Sequence, residues 1–162
     1  MHLLPADHLS SLAFTQGDFR PHGEFLCWME DGLLMWESRG PFNLEALQAF
    51  GRTRQAAFAR WGLDDRPLAA VMRWVGSALM SPEAFALYER SFEAFIASHH
   101  RYVAVAWVGG PEVEGLDLMR ARYAPLFERH GLAFAVFADL DAAREWARPQ
   151  LQAARKAASA PD

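Results

Sequence analysis

The segment Glu24–Ser38, EFLCWME-DG-LLMWES, decides the architecture. Glu24 to Glu30 is apolar and aromatic, the composition of a strand. Asp31-Gly32 follows, and such a pair supplies the positive φ angles of a two-residue hairpin turn. Leu33 to Ser38 reads as the return strand, and Arg39-Gly40-Pro41 breaks it. Downstream, helical and extended patterns alternate. Asn43 is placed as an N-cap with Glu45 in the first turn, and Leu44, Leu47, Phe50, Ala57, Phe58 and Trp61 recur at helical spacing up to Gly62. Pro67 to Val75 is a strand. Ser81-Pro82-Glu83 opens a second helix with hydroxyl cap, proline and acid in their favoured places. Phe85, Tyr88, Phe92, Phe95 and Ile96 form its aromatic stripe.

Arg101 to Val108 is a strand whose near-continuous apolarity implies burial on both faces. Leu116, Met119, Tyr123, Leu126 and Phe127 mark a third helix, closed by His130-Gly131. Leu132 to Ala138 is a last strand, and Asp139 or Asp141 caps a final helix. Strands separated by helices require crossovers, and crossovers require parallel pairing. The expectation is therefore an α/β fold: a mixed, mostly parallel sheet of about five strands, with an N-terminal antiparallel hairpin and four helices. Residues 1–22 form an extension that adds an edge strand, covers a pocket or exchanges between subunits. Residues 23–152 form the domain. The Ala-rich tail, 153–162, is expected to fray.

Composition narrows the function classes. The 162 residues are 52% hydrophobic and 13% aromatic, enough for a core without metal or cross-link. Cys27 is the sole cysteine, so no disulfide scaffold exists. The net charge of −4 provides no broad basic surface for nucleic acid. The basic residues are arginines except Lys156, and they are scattered. No apolar run reaches the roughly 18 residues of a membrane span, and the amino end lacks the pattern of an export signal, so cytoplasm is the expected location.

The hairpin, the strand–helix units after it and the closing Phe137–Trp146 (FADLDAAREW) resemble the STAS-like, anti-sigma-factor-antagonist-like domains, in particular the bacterial SpoIIAA-like (STAS/SEC14-like) group. The resemblance spans about residues 24–151. It implies a regulatory binding domain, and in some members a switch: a hydroxyl residue at the helix after the third strand is phosphorylated and a partner is released. The family motif there runs acidic residue, hydroxyl residues, glycine. The matching stretch here is Arg73–Pro82, RWVGSALMSP, in which no acid precedes Ser77 and Gly76 comes before it. Ser77 and Ser81 are the residues available to such a switch.

No catalytic set is apparent. Gly109-Gly110-Pro111 lacks a phosphate-loop pattern, and Glu112 and Glu114 follow it at once. Cys27 lies between Leu26 and Trp28 in an apolar strand, where burial blunts a thiol. Asp64-Asp65-Arg66 and the pair His99-His100 lack the partners of a metal site. Arg52, Arg54 and Arg60 share one helix and read as a solvated face. The loops beyond the strand ends, Arg39–Asn43, Trp74–Ser81, Trp107–Glu112 and Ala138–Asp141, bring Trp74 and Trp107 to an aromatic-walled pocket with Arg39 or Arg73 as polar anchor. The competing reading fills a core with those rings.

The expected function is non-enzymatic binding of a protein or of a small apolar or anionic molecule, without cofactor or metal. Its surface is the segment Trp74–Phe92, including Tyr88, which also suits a homodimer contact. Alternatives are a phosphorylation-switched antagonist acting through Ser77 or Ser81, and an enzyme assembled from Asp139, Asp141, Glu112 and Arg39.

Overall fold

The computed structural model describes residues 3–98 and 101–161. Six strands form one sheet in chain order: β1 (Leu9–Ser10), β2 (Glu24–Glu30), β3 (Leu33–Arg39), β4 (Pro67–Val75), β5 (Arg101–Val108) and β6 (Ala133–Phe137). The first three are antiparallel, and β3 to β6 are parallel. The helices are α1 (Leu44–Trp61), α2 (Pro82–Ala97), α3 (Leu116–Arg129) and α4 (Leu140–Ala158). Asp31 and Gly32 turn the hairpin with φ of 49° and 82°, the left-handed pair this turn demands.

The caps carry much of the punctuation. Asn43 accepts from Ala46 N at 3.1 Å, Ser81 from Ala84 N at 3.2 Å and Asp139 from Asp141 N at 2.8 Å. Gly62 closes α1 with φ 59° and ψ 52°, which glycine adopts without steric cost. Asn43 has a second task. Its Oδ1 accepts from His22 N at 2.8 Å and its Nδ2 donates to Arg20 O at 3.2 Å, so one side chain starts the helix and ties down the extension.

Side chains alternate across the strands and build two cores. Phe25, Cys27, Leu34, Trp36, Leu68, Ala70, Trp74, Val105 and Trp107 face α1, α2 and α3. Leu26, Trp28, Leu33, Met35, Ala69, Val71, Ala104 and Ala106 face α4 through its Ala143, Ala147 and Leu151. Small residues on β4 and β5 let α4 lie close to the sheet. Arg144 of α4 forms a two-point contact with Glu30, at 2.6 and 3.0 Å, and Arg148 reaches Asp31 at 3.0 Å. The final helix is thereby fastened to the first hairpin.

The extension takes one of its expected roles, and two other details depart from the sequence reading. The extension supplies a sixth, edge strand of two residues, Leu9 pairing with Cys27 and Ser10 with Leu26. It then covers α1, where Phe14 O accepts from Arg52 Nε at 2.6 Å and Asp7 pairs with Arg60 and Trp61. Strand β6 is shorter by one residue at each end than Leu132–Ala138. Helix α4 continues to Ala158 instead of fraying from Ala153, because the alanines are strong helix formers even without a core to pack on.

Candidate functional site

Between the sheet and the three-helix side lies an apolar cavity of about 40 Å3. Strands β3, β4 and β5 bring Trp36, Met72, Trp74 and Trp107 to it, and the helices bring Phe50, Tyr88 and Tyr123. The aromatic groups form a continuous chain. Trp74 and Trp107 meet edge to face at 4.8 Å, Trp107 and Tyr123 at 4.9 Å, and Tyr123 and Tyr88 at 4.6 Å. These separations are within the favourable range for ring pairs. Tyr123 donates its hydroxyl to Met80 Sδ at 3.1 Å, a soft acceptor. The buried Trp74 Nε1 has no partner.

One cation enters this apolar space. Arg54 of α1 is 6% exposed, with its guanidinium carbon 4.1 Å from the Phe95 ring centre and 5.4 Å from that of Phe50. Its Nη2 donates to Ser91 O at a long 3.4 Å, and its Nε has no partner. Burial lowers its pKa, and neighbouring Tyr102 and Tyr88 partly oppose that shift. Burial raises both phenols in turn, so they remain neutral hydroxyls. A buried guanidinium without a carboxylate is costly, and the ring faces offset only part of that cost.

The residues singled out from sequence separate into three places. Trp74, Tyr88 and Trp107 do come together around the cavity. Trp74 is 3% exposed, so it lies in the core and not on the expected Trp74–Phe92 surface. Arg39 and Arg73 do not anchor this pocket. Trp36, Met72 and Trp74 point to the cavity, so residues 37, 39 and 73 alternate to the opposite face. There Glu37 holds Arg39 at 2.6 Å and Arg73 at 3.3 Å, while Arg39 also reaches Glu24 at 3.4 Å. The two serines are occupied with backbone. Ser77 is buried and its Oγ accepts from Leu79 N at 3.2 Å; Ser81 caps α2.

Arg54 is the residue that the solvated-face reading misplaced. Leu47, Phe50, Arg54 and Phe58 lie at intervals of three and four, one stripe of α1, and that alignment marked it for burial. Other groups stay apart. Asp139 caps α4, Asp141 pairs with Arg144, and Glu112 accepts from Gly110 N at 3.1 Å, so the carboxylates of the enzyme alternative are each engaged locally and form no cluster. Asp64 and Arg66 occupy a turn, where Arg66 donates to Trp61 O. Cys27 is fully buried, and burial pushes its thiol up to about 12. His99 and His100 lie outside the described residues. Among the described residues no group of three His, Cys, Asp or Glu side chains is arranged for a metal, and no helix is long and apolar enough to cross a membrane.

No protein-family model matches the chain, and no curated protein does. Among solved structures, the chain is similar to an uncharacterised protein of the DUF3478 family with a SpoIIAA-like fold, from Shewanella loihica PV-4. The similarity has a TM-score of 0.55 at 14% sequence identity, over 82% of this chain and 98% of the other. With the hairpin, the three parallel returns and the closing α4 in place, this chain has the SpoIIAA-like fold.

Proposed function

We propose that this domain acts by binding a small apolar or anionic molecule in the cavity between the sheet and helices α1 to α3, without catalysing a reaction. One observation carries the reading: an aromatic cavity lined by two residues with unpartnered buried donors, Trp74 with its Nε1 and Arg54 with its Nε. Unpaired buried donors call for an explanation, and an occupant that accepts hydrogen bonds is one. The titratable groups lining the cavity are Arg54, Tyr88, Tyr102 and Tyr123. Burial moves all three phenols up, which makes them weaker acids than a free tyrosine and supports a binding role.

The test uses two neutral probes, xenon and 1-butanol, titrated into isotope-labelled protein. Binding inside the cavity shifts the indole N–H signals of Trp74 and Trp107 and leaves Trp146, on the α4 side, unmoved. Ala70→Leu narrows the cavity and removes the response. A native protein whose Trp74 and Trp107 signals ignore both probes overturns the reading.

A further inference from the structure

Arg54 lies where two spaces meet. It lines the apolar cavity and also an open groove of about 600 Å3 between α1 and α2, walled by Gln48, Gly51 and Gln55 on one side and Leu87 and Ser91 on the other. Arg54 is 6% exposed and, with Leu47, belongs to the walls of both the cavity and the groove. Its charge is single and uncompensated, because among the described residues no carboxylate pairs with it and the nearby phenols are neutral. Its Nη2 turns to Ser91 O, and the buried Nε–H has no partner.

Charge and size together define an occupant. A single buried cation is balanced by one negative charge; a dianion leaves a second charge stranded in a low-dielectric site. A carboxylate oxygen also suits a guanidinium N–H. The cavity behind Arg54 is apolar and measures about 40 Å3. Since a water needs on the order of 10–15 Å3 by this kind of measure, the space admits a tail of only a few carbons. We infer that the site takes a short aliphatic monocarboxylate, entering through the α1–α2 groove, with its carboxylate on Arg54 and its alkyl tail among Trp74, Tyr88 and Trp107. This rests on the ligand-binding reading above and names the ligand class and the way in.

The experiment compares n-butyrate with 1-butanol on the whole chain, following the Arg54 Nε–H and the Trp74 and Trp107 indole signals. Butyrate is expected to bind at least tenfold more tightly than the alcohol. Arg54→Gln should abolish the preference, bringing butyrate to the level of the alcohol in the same variant. Gly51 faces open space, with no atom within 4 Å of an added Cβ, so Gly51→Phe should fold while obstructing the groove. It should slow butyrate association about tenfold.

Equal affinity for the two probes in the native protein overturns the carboxylate assignment, whatever the variants do, and leaves the cavity reading standing. Butyrate binding that survives Arg54→Gln unchanged overturns the anchor. Association unaffected by Gly51→Phe overturns the entrance. Silence toward both probes is the separate failure of the ligand-binding reading itself.

Discussion

The guanidinium of Arg54 on α1 lies 4.1 Å from the ring centre of Phe95 on α2. Two helices that meet through apolar side chains elsewhere thus meet here through a cation on an aromatic face. That contact stabilises the charge partially and leaves its buried Nε–H without a partner. The relationship has a direct stability consequence. Arg54→Met keeps a long unbranched stem and removes the charge, so the variant should be as stable as the native protein or more stable by about 1–2 kcal/mol. Arg54→Ala also discards the stem that packs between Phe50 and Phe95 and should lose about 1–3 kcal/mol. Urea denaturation of the two variants measures the difference. A Met variant less stable than the Ala variant contradicts this account of the site.

Alkaline pH should weaken the fold through Cys27. Its thiol is held protonated by burial, with the pKa pushed from 9.0 up to about 12. The unfolded chain releases that proton above pH 9 and the native chain keeps it. The native state therefore binds more protons in this window, and stability falls as pH rises, by about 1 kcal/mol at pH 10. The buried phenols of Tyr88, Tyr102 and Tyr123 are raised too and act in the same direction from pH 10 upward. Cys27→Ala, though less stable overall, should show a flatter profile between pH 8 and 10 in chemical denaturation. An unaltered slope in that variant removes Cys27 from the explanation.

Gly40 sits under tight constraint at the end of β3. A Cβ there would lie 2.2 Å from Ser77 O and 2.5 Å from the Phe42 ring. The first neighbour is backbone, which cannot swing aside. Gly40→Ala should cost about 2–3 kcal/mol, an overpacking penalty, and lower the melting temperature accordingly. Gly51→Ala, placed on an open helix surface, is the matched control and should be neutral or stabilising.

The two serines should respond oppositely to a carboxylate. Ser81→Asp preserves the N-cap acceptor and adds charge at the favourable end of α2, so its stability should stay within about 0.5 kcal/mol of native. Ser77 is buried and hydrogen-bonded to Leu79 N, and Ser77→Asp should lose about 2–4 kcal/mol. Thermal melts of the pair decide the point. A well-tolerated Ser77→Asp would show that the Gly76–Met80 loop opens readily, and would revive a phosphorylation switch at that position.

Local chemistry made most of the fold legible. Asp31-Gly32, Asn43, Gly62 and Ser81-Pro82 each impose a backbone state on their own neighbours, so the boundaries they mark need no tertiary information. Strand β1 was illegible for the opposite reason: two residues carry no periodicity, and only pairing with Leu26 and Cys27 makes them extended. The site was half legible. Trp74 and Trp107 are conspicuous as rings near strand ends, yet they face the core, and Tyr88, expected on an outward surface, joins them there. Arg39 and Arg73 were assigned by their loops, whereas the period of two along β3 and β4 sends them to the other face of the sheet. Arg54 was taken for solvent-facing on its charge, although its place in the Leu47–Phe58 stripe already put it inside.

The order of strands in the sheet repeats their order in the chain, while α4 is the described helix that packs on the face opposite α1, α2 and α3. Each strand after the first has its sheet neighbour already upstream in the chain, whereas the apolar residues that pack on α4 have their cover, with Arg144 on Glu30 and Arg148 on Asp31, only at the chain's far end. A chain cut short before α4 would carry a nearly complete sheet with an uncovered apolar flank, the kind of surface chaperones and proteases recognise.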